Sequence, residues 1–193
     1  MQQEDAVLLT LLATNLDRHF GQLVLAYQQR LYAFILRQTG SVQDAEDIVQ
    51  EALMQAYFAL DRYTPMQVCN VALRPWLYKI TLNVFYSRLR KARLQYVPLD
   101  LTDDSTHLEL EDDSSRQPEM VLETSEQQHE LEVLLNNLPE RYRTPINLYY
   151  FEELSYQEIA HLLNLPMNTV KSHLHRGIGY LRKAITTQQN GGR

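Results

Sequence analysis

The chain has 193 residues, 45% hydrophobic and 22% charged, with a formal net charge of −6, one cysteine and six histidines. That composition supports one good-sized folded domain or two small ones, while no apolar run reaches the roughly 18 to 20 residues that span a bilayer. Cys69 alone excludes an intrachain disulfide and a thiolate zinc site.

The opening MQQEDAVLL lacks the basic start of a secretory signal, so a cytoplasmic protein without membrane insertion is expected. His19, His107, His129, His161, His173 and His175 show no HExxH or comparable spacing, and His173 and His175 would point to different sides of a helix. There is no Gly-rich phosphate loop and no G-x-S-x-G elbow. Neither a metal, nor a cofactor, nor catalysis is expected.

Charge is unevenly spread. Residues 1–98 hold 10 basic and 8 acidic side chains, residues 99–133 hold 1 and 12, and residues 134–193 hold 7 and 4. The acidity belongs to the middle of the chain.

In chain order, the first helix stripe is Leu23, Tyr27, Leu31, Phe34 and Ile35, at spacings of three and four. Thr39-Gly40 ends that helix, and Ser41 is placed to cap the next. From Asp44 to Leu60 the apolar stripe is Ala45, Ile48, Val49, Ala52, Leu53, Ala56, Tyr57 and Leu60. The opposite face carries Asp47, Gln50, Glu51, Met54 and Phe58, with Asp44 in the first turn. It is either a solvated acidic face suited to a helix N-terminus or a partner-docking surface, since Met54 and Phe58 add apolar material that solvation does not require.

RYTPMQVCNVAL, residues 62–73, reads as a loop, either a plain connection or a base-reading one. RPWLYKITLNVFYSRLRKAR, residues 74–93, then gathers six Arg or Lys and no acid. Pro75 suits a first helical turn, and Leu77, Ile80, Thr81 and Val84 form an apolar side. Trp76, Lys79, Asn83, Tyr86, Arg90 and Arg93 share another side, whereas Arg88 and Lys91 fall on the apolar one. Cations interleaved with aromatics suit single-stranded nucleic acid, where rings stack on bases at roughly 1 to 3 kcal/mol each. The competing reading is a core helix with a basic end.

LDLTDDSTHLELEDDSSRQPEM has few large apolar residues and no sustained period. It reads as a flexible acidic linker over 96–130, or else as a solvated loop within one domain. Beyond it, Ser155 and Glu158 form a capping box for a helix carrying Ile159, Ala160 and Leu163. Asn164-Leu165-Pro166 breaks this helix, and another starts near Met167 or Asn168, with Val170, Leu174, Leu181 and Ile185 as its buried side. Two short helices with a tight turn read as helix-turn-helix. Asn168, Thr169, Lys171, Ser172, His175 and Arg176 stand near the start of the second, where a recognition helix contacts bases and phosphates. No stretch alternates with period two, so the fold class is all-α, two small helical domains joined by the linker.

YQQRLYAFILRQTGSVQDAEDIVQEALMQAY followed by RPWLYKITLNVFYSRLRKAR resembles region 2 of the extracytoplasmic-function sigma factors of the sigma-70 family. LPERYRTPINLYYFEELSYQEIAHLLNLPMNTVKSHLHRG resembles their region 4. The resemblance implies an N-terminal extension over 1–18, region 2 over 19–95 and region 4 with a short tail over 131–193. It implies that Asp44, Asp47, Gln50, Glu51 and Met54 dock on the β′ clamp helices of core RNA polymerase, with region 4 near the β flap. Trp76, Lys79, Asn83, Tyr86, Arg88, Arg90 and Arg93 would melt and hold the minus-ten element, and Lys171, Ser172, His173 and Arg176, with Asn168, Thr169 and His175, would read the minus-thirty-five element.

An anti-sigma factor is a further partner class for such proteins, and no stable homo-oligomer is expected. Ser87 stands where relatives often carry Asp, and His173 where Arg is common. Gly177 and Gly179 interrupt a helix usually rich in Ala and Arg, at roughly 1 kcal/mol each relative to Ala, which predicts a bend or early fraying. The alternative function is a stand-alone helix-turn-helix transcriptional regulator.

Overall fold

The structure, a computed structural model, describes residues 2–95 and 133–191. Every element assigned among these residues is helical. The acidic linker expected over 96–130 lies outside them.

The N-terminal bundle begins with α1 (Gln2–Thr14) and α2 (Leu16–Thr39). Leu8, Leu9 and Leu12 of α1 are buried, and the Tyr27 hydroxyl on α2 donates to Asp5. Residues 2–14, expected as part of an extension, are thus a packed helix of this bundle. Asn15 caps α2 by accepting from the Arg18 backbone N–H at 3.0 Å. At the other end Gly40 adopts φ 70° and donates its N–H to Leu36 O, an ending that a left-handed glycine provides without Cβ strain.

Ser41 Oγ then accepts from Asp44 N at 3.2 Å and starts α3 (Val42–Asp61). Stop and start signals one residue apart fold α2 and α3 into a hairpin, closed by Leu23, Leu31, Phe34 and Ile35 against Ala45, Ile48, Ala52 and Ala56. The stretch read as a loop holds a short helix, α4 (Pro65–Cys69). Its cause is local: Thr64 and Gln67 form a reciprocal capping box, with Pro65 at the first helical position. Buried Val68 pins it, and its main neighbour is α1. Helix α5 (Leu73–Gln95) closes the bundle against α3.

In the C-terminal bundle α6 (Glu140–Ile146) contains Pro145, which has no N–H for the helical ladder. The chain widens into a π-helical turn over Asn147–Phe151, and Glu152 N donates to Asn147 O at 3.2 Å. Glu153, at φ 54°, then turns the backbone. The Ser155–Glu158 capping box starts α7 (Tyr156–Leu163), Asn164 ends it at φ 53°, and α8 (Met167–Gly191) follows. The helix-turn-helix expected from the caps is present.

Two expectations for α8 change. Gly177 and Gly179 do not end the helix. A Cβ at Gly177 would lie 2.4 Å from Ile146 Cδ1 and 3.2 Å from Tyr142 Cβ, so this glycine lets α6 cross α8 closely. Ile185, expected on the buried side, is 41% exposed because the packed part of α8 ends before it.

Candidate binding surfaces

On α3, Asp44, Asp47, Gln50, Met54 and Phe58 are exposed and Glu51 is half-buried. The face therefore exists as one surface. Beside it runs a groove lined by Phe20, Val24, Tyr32, Leu53, Met54 and Phe58.

Arg88 reaches this face from α5. Its Nη1 donates to Asp47 Oδ2 at 3.2 Å and its Nη2 to Glu51 Oε2 at 3.0 Å. The helical wheel had left its direction open; the packing of α3 on α5 turns it toward the acids. The structure does not bring it to the other basic residues of α5.

Across α5, Lys79, Asn83 and Tyr86 share one wall of a cleft of about 420 Å³. Trp76 is half-buried, its ring 6.4 Å from that of Tyr63. Arg90 is exposed farther along, and the Arg93 side chain lies outside the described residues. Burial is the largest influence on the Tyr86 hydroxyl and pushes its pKa up to about 12. In α4, Met66, Cys69 and Asn70 face solvent.

At the start of α8, Asn168, Lys171, Ser172, His175 and Arg176 are exposed and Thr169 is half-buried. His173 departs from this group. Its ring packs edge-on against Tyr142 at 5.5 Å, and it lines the cleft opposite Lys79. Desolvation first, then Arg141 and Arg176, depress its pKa below the usual imidazole value. Sequence reading missed an aromatic group next to the exposed cluster: Tyr149 and Tyr156 stack at 4.8 Å, with Lys171 Nζ 5.9 Å from the Tyr156 ring.

The two bundles meet at Glu152, which is 3% exposed. Arg37 Nη2 pairs with Glu152 Oε1 at 2.7 Å, and the Tyr78 hydroxyl donates to Oε2. Arg37 also donates to Asn147 Oδ1 and lies 4.3 Å above the Phe151 ring. Arg143 Nη1 donates to Gln38 O, and Asn147 Nδ2 donates to Phe34 O at 3.3 Å. A buried carboxylate persists only when paired and hydrogen-bonded; here burial raises the Glu152 pKa while Tyr78 and Arg37 oppose it. Nothing in the EELS run distinguishes Glu152 from exposed Glu153, because its partners are about 75 and 115 residues away in sequence.

Among the described residues no helix is long and apolar enough to cross a membrane, and no group of three His, Cys, Asp or Glu is placed to hold a metal.

Residues 23–95 match the Sigma-70 region 2 family, and residues 128–181 match Sigma-70, region 4. The chain is 35% identical to the ECF RNA polymerase sigma factor SigW of Bacillus subtilis, over 86% of this chain and 88% of that protein. It is 31% identical to the RNA polymerase sigma-H factor of Pseudomonas aeruginosa, over 95% of each. A solved structure of the sigma factor RpoE in complex with the anti-sigma factor NepR from Bartonella quintana matches with a TM-score of 0.65 at 26% identity, over 86% of this chain and 96% of that one. CnrH, solved in complex with the cytosolic domain of CnrY, has a similar fold, with a TM-score of 0.65 at 24% identity, over 95% and 97%.

Proposed function

We propose, from the premise that this chain belongs to the extracytoplasmic-function sigma factors of the sigma-70 family and directs transcription initiation as a non-enzymatic RNA polymerase subunit, a division of that task among three surfaces. Asp44, Asp47, Gln50, Glu51 and Met54 dock on the β′ clamp helices of core polymerase. Trp76, Lys79, Asn83, Tyr86, Arg90 and Arg93 hold the melted minus-ten strand, rings stacking on bases and cations following phosphates. Asn168, Thr169, Lys171, Ser172, His175 and Arg176 enter the major groove at the minus-thirty-five element, with region 4 against the β flap.

The observation that carries this reading is the clustering of exposed polar and basic side chains on the first three turns of α8, directly after the capped turn from α7. A groove-entering helix presents that end. The similar sigma factor RpoE was solved in complex with the anti-sigma factor NepR, and an anti-sigma factor is a partner of this chain in the same reading. Cytoplasmic location follows from the task.

In vitro transcription with purified core enzyme tests the assignment. Wild type starts promoter-specific synthesis, and Asp47→Arg with Glu51→Arg abolishes holoenzyme formation without unfolding the chain. Full holoenzyme formation by that double variant would remove the α3 face from the docking role. Binding of the free protein to a palindromic operator, with no promoter-specific synthesis when core enzyme is added, would instead indicate a stand-alone regulator.

A further inference from the structure

Three side chains from separate elements converge beside the exposed start of α8. Tyr149 lies in the π-helical turn, Tyr156 is the first residue of α7, and Lys171 stands on the second turn of α8. Local chemistry brings them there. Pro145 interrupts the helical ladder, and the over-wide turn that follows rotates Tyr149 away from where a regular helix would place it. The reciprocal Ser155–Glu158 cap then fixes the backbone at Tyr156.

Tyr149 and Tyr156 stack at 4.8 Å with 19° between their planes, and Tyr150 meets Tyr149 edge-on at 4.9 Å. Both stacked rings are half-buried and packed against the hydrophobic core, so neither turns as a free surface ring. Lys171 Nζ lies 5.9 Å from the Tyr156 centroid, within reach of the ring's negative face. No carboxylate among the described residues pairs with Lys171, which leaves the ring to order it. A lysine otherwise has a flexible four-carbon stem, and holding it in one region before DNA arrives lowers the ordering cost of the contact. The three donors of the ammonium can still reach a phosphate or a guanine edge while its charge stays over the ring.

We propose that Tyr149 and Tyr156 are positioning residues for minus-thirty-five recognition, a stacked platform that holds the Lys171 ammonium at the DNA-facing start of α8. The inference rests on the assignment of that end of α8 to the minus-thirty-five element. The platform works through the ring faces and not through the tyrosine hydroxyls, and the contact with DNA is made by Lys171.

The test uses holoenzyme in footprinting titrations of the minus-thirty-five element, at a promoter where wild type starts synthesis, with thermal melts to confirm that each variant folds. Tyr156→Leu should weaken binding about two- to fivefold, the range of an exposed cation–π contact. Tyr156→Phe keeps the ring and should bind like wild type, and Tyr149→Leu, which frees the Tyr156 ring, should fall between the two. In a Lys171→Ala background Tyr156→Leu should cost nothing further, because the platform then holds nothing. Equal losses in the Phe and Leu variants, or an undiminished loss in the Lys171→Ala background, overturn positioning through Lys171, and wild-type affinity in Tyr149→Leu removes Tyr149 from the platform. Proton NMR of the wild-type chain adds a reading that needs no variant to fold: the Lys171 ε-methylene should be shifted upfield by the Tyr156 ring, and an unshifted signal overturns the platform. Lys171→Ala with wild-type affinity sinks the recognition assignment itself, whereas loss there with none in Tyr156→Leu overturns the positioning role alone.

Discussion

Arg88 on α5 is held between Asp47 and Glu51 on α3, at 3.2 Å and 3.0 Å. A cation from the basic helix thus belongs to the acidic face. With side-chain exposures of 36% for Arg88, 54% for Asp47 and 42% for Glu51, the pair is largely solvated, so its worth lies in ordering the two carboxylates more than in stability.

Arg88→Ala should therefore cost only about 0.2 to 1 kcal/mol in a urea melt. Its larger effect should be a several-fold loss of core-polymerase affinity, with unchanged binding of single-stranded DNA by the holoenzyme. The opposite pattern would return Arg88 to the DNA-facing set.

Gly177 and Gly179 should respond in opposite senses. Gly179 has nothing within 4 Å of a built Cβ, so Gly179→Ala should stabilise by up to about 1 kcal/mol through helix propensity. Gly177→Leu must displace both Ile146 and Tyr142 and should destabilise by about 1 to 3 kcal/mol, as overpacking does. Denaturant midpoints of the two variants check this directly.

On the recognition helix, Arg176→Ala or Lys171→Ala should weaken minus-thirty-five binding by the holoenzyme, by about 1 to 3 kcal/mol where the contact is to a base. His173→Ala should not, because its ring packs on Tyr142 instead of facing outward. Footprinting titrations of the three variants separate the exposed set from the packed one.

His173 also makes a pH prediction. Its pKa is depressed by desolvation and by the charges of Arg141 and Arg176, so the folded state favours the neutral ring. The associated stability is present above the unfolded value near 6.5 and is lost as pH falls through the lower folded value. NMR titration should place the His173 transition below 6.5, and Arg141→Ala should move it back upward.

Much of the fold was legible in the chain because its signals are local. The Gly40 stop, the Ser41 cap and the stripes of α2 and α3 define their hairpin within a few residues of each turn. Ser155, Glu158 and Asn164 do the same for the helix-turn-helix. The short α4 was missed although Thr64, Pro65 and Gln67 carry a cap of the same kind, since Thr-x-x-Gln was not read as one.

The sequence by itself determined an all-helical chain, its caps and turns, the acidic face of α3 and the polar start of α8, because each depends on residues one to four apart. Only the tertiary structure decided which way Arg88 turns, why α5 buries Tyr78, Leu82 and Phe85 beyond its expected apolar side, and that Glu152 is a buried acid while Glu153 is not. The first depends on α3 packing against α5 within one bundle, and the burial of Tyr78 and Glu152 depends on a second bundle that brings them together with Arg37. Helical periodicity records that a face is apolar or charged, but not which distant partner arrives to bury it.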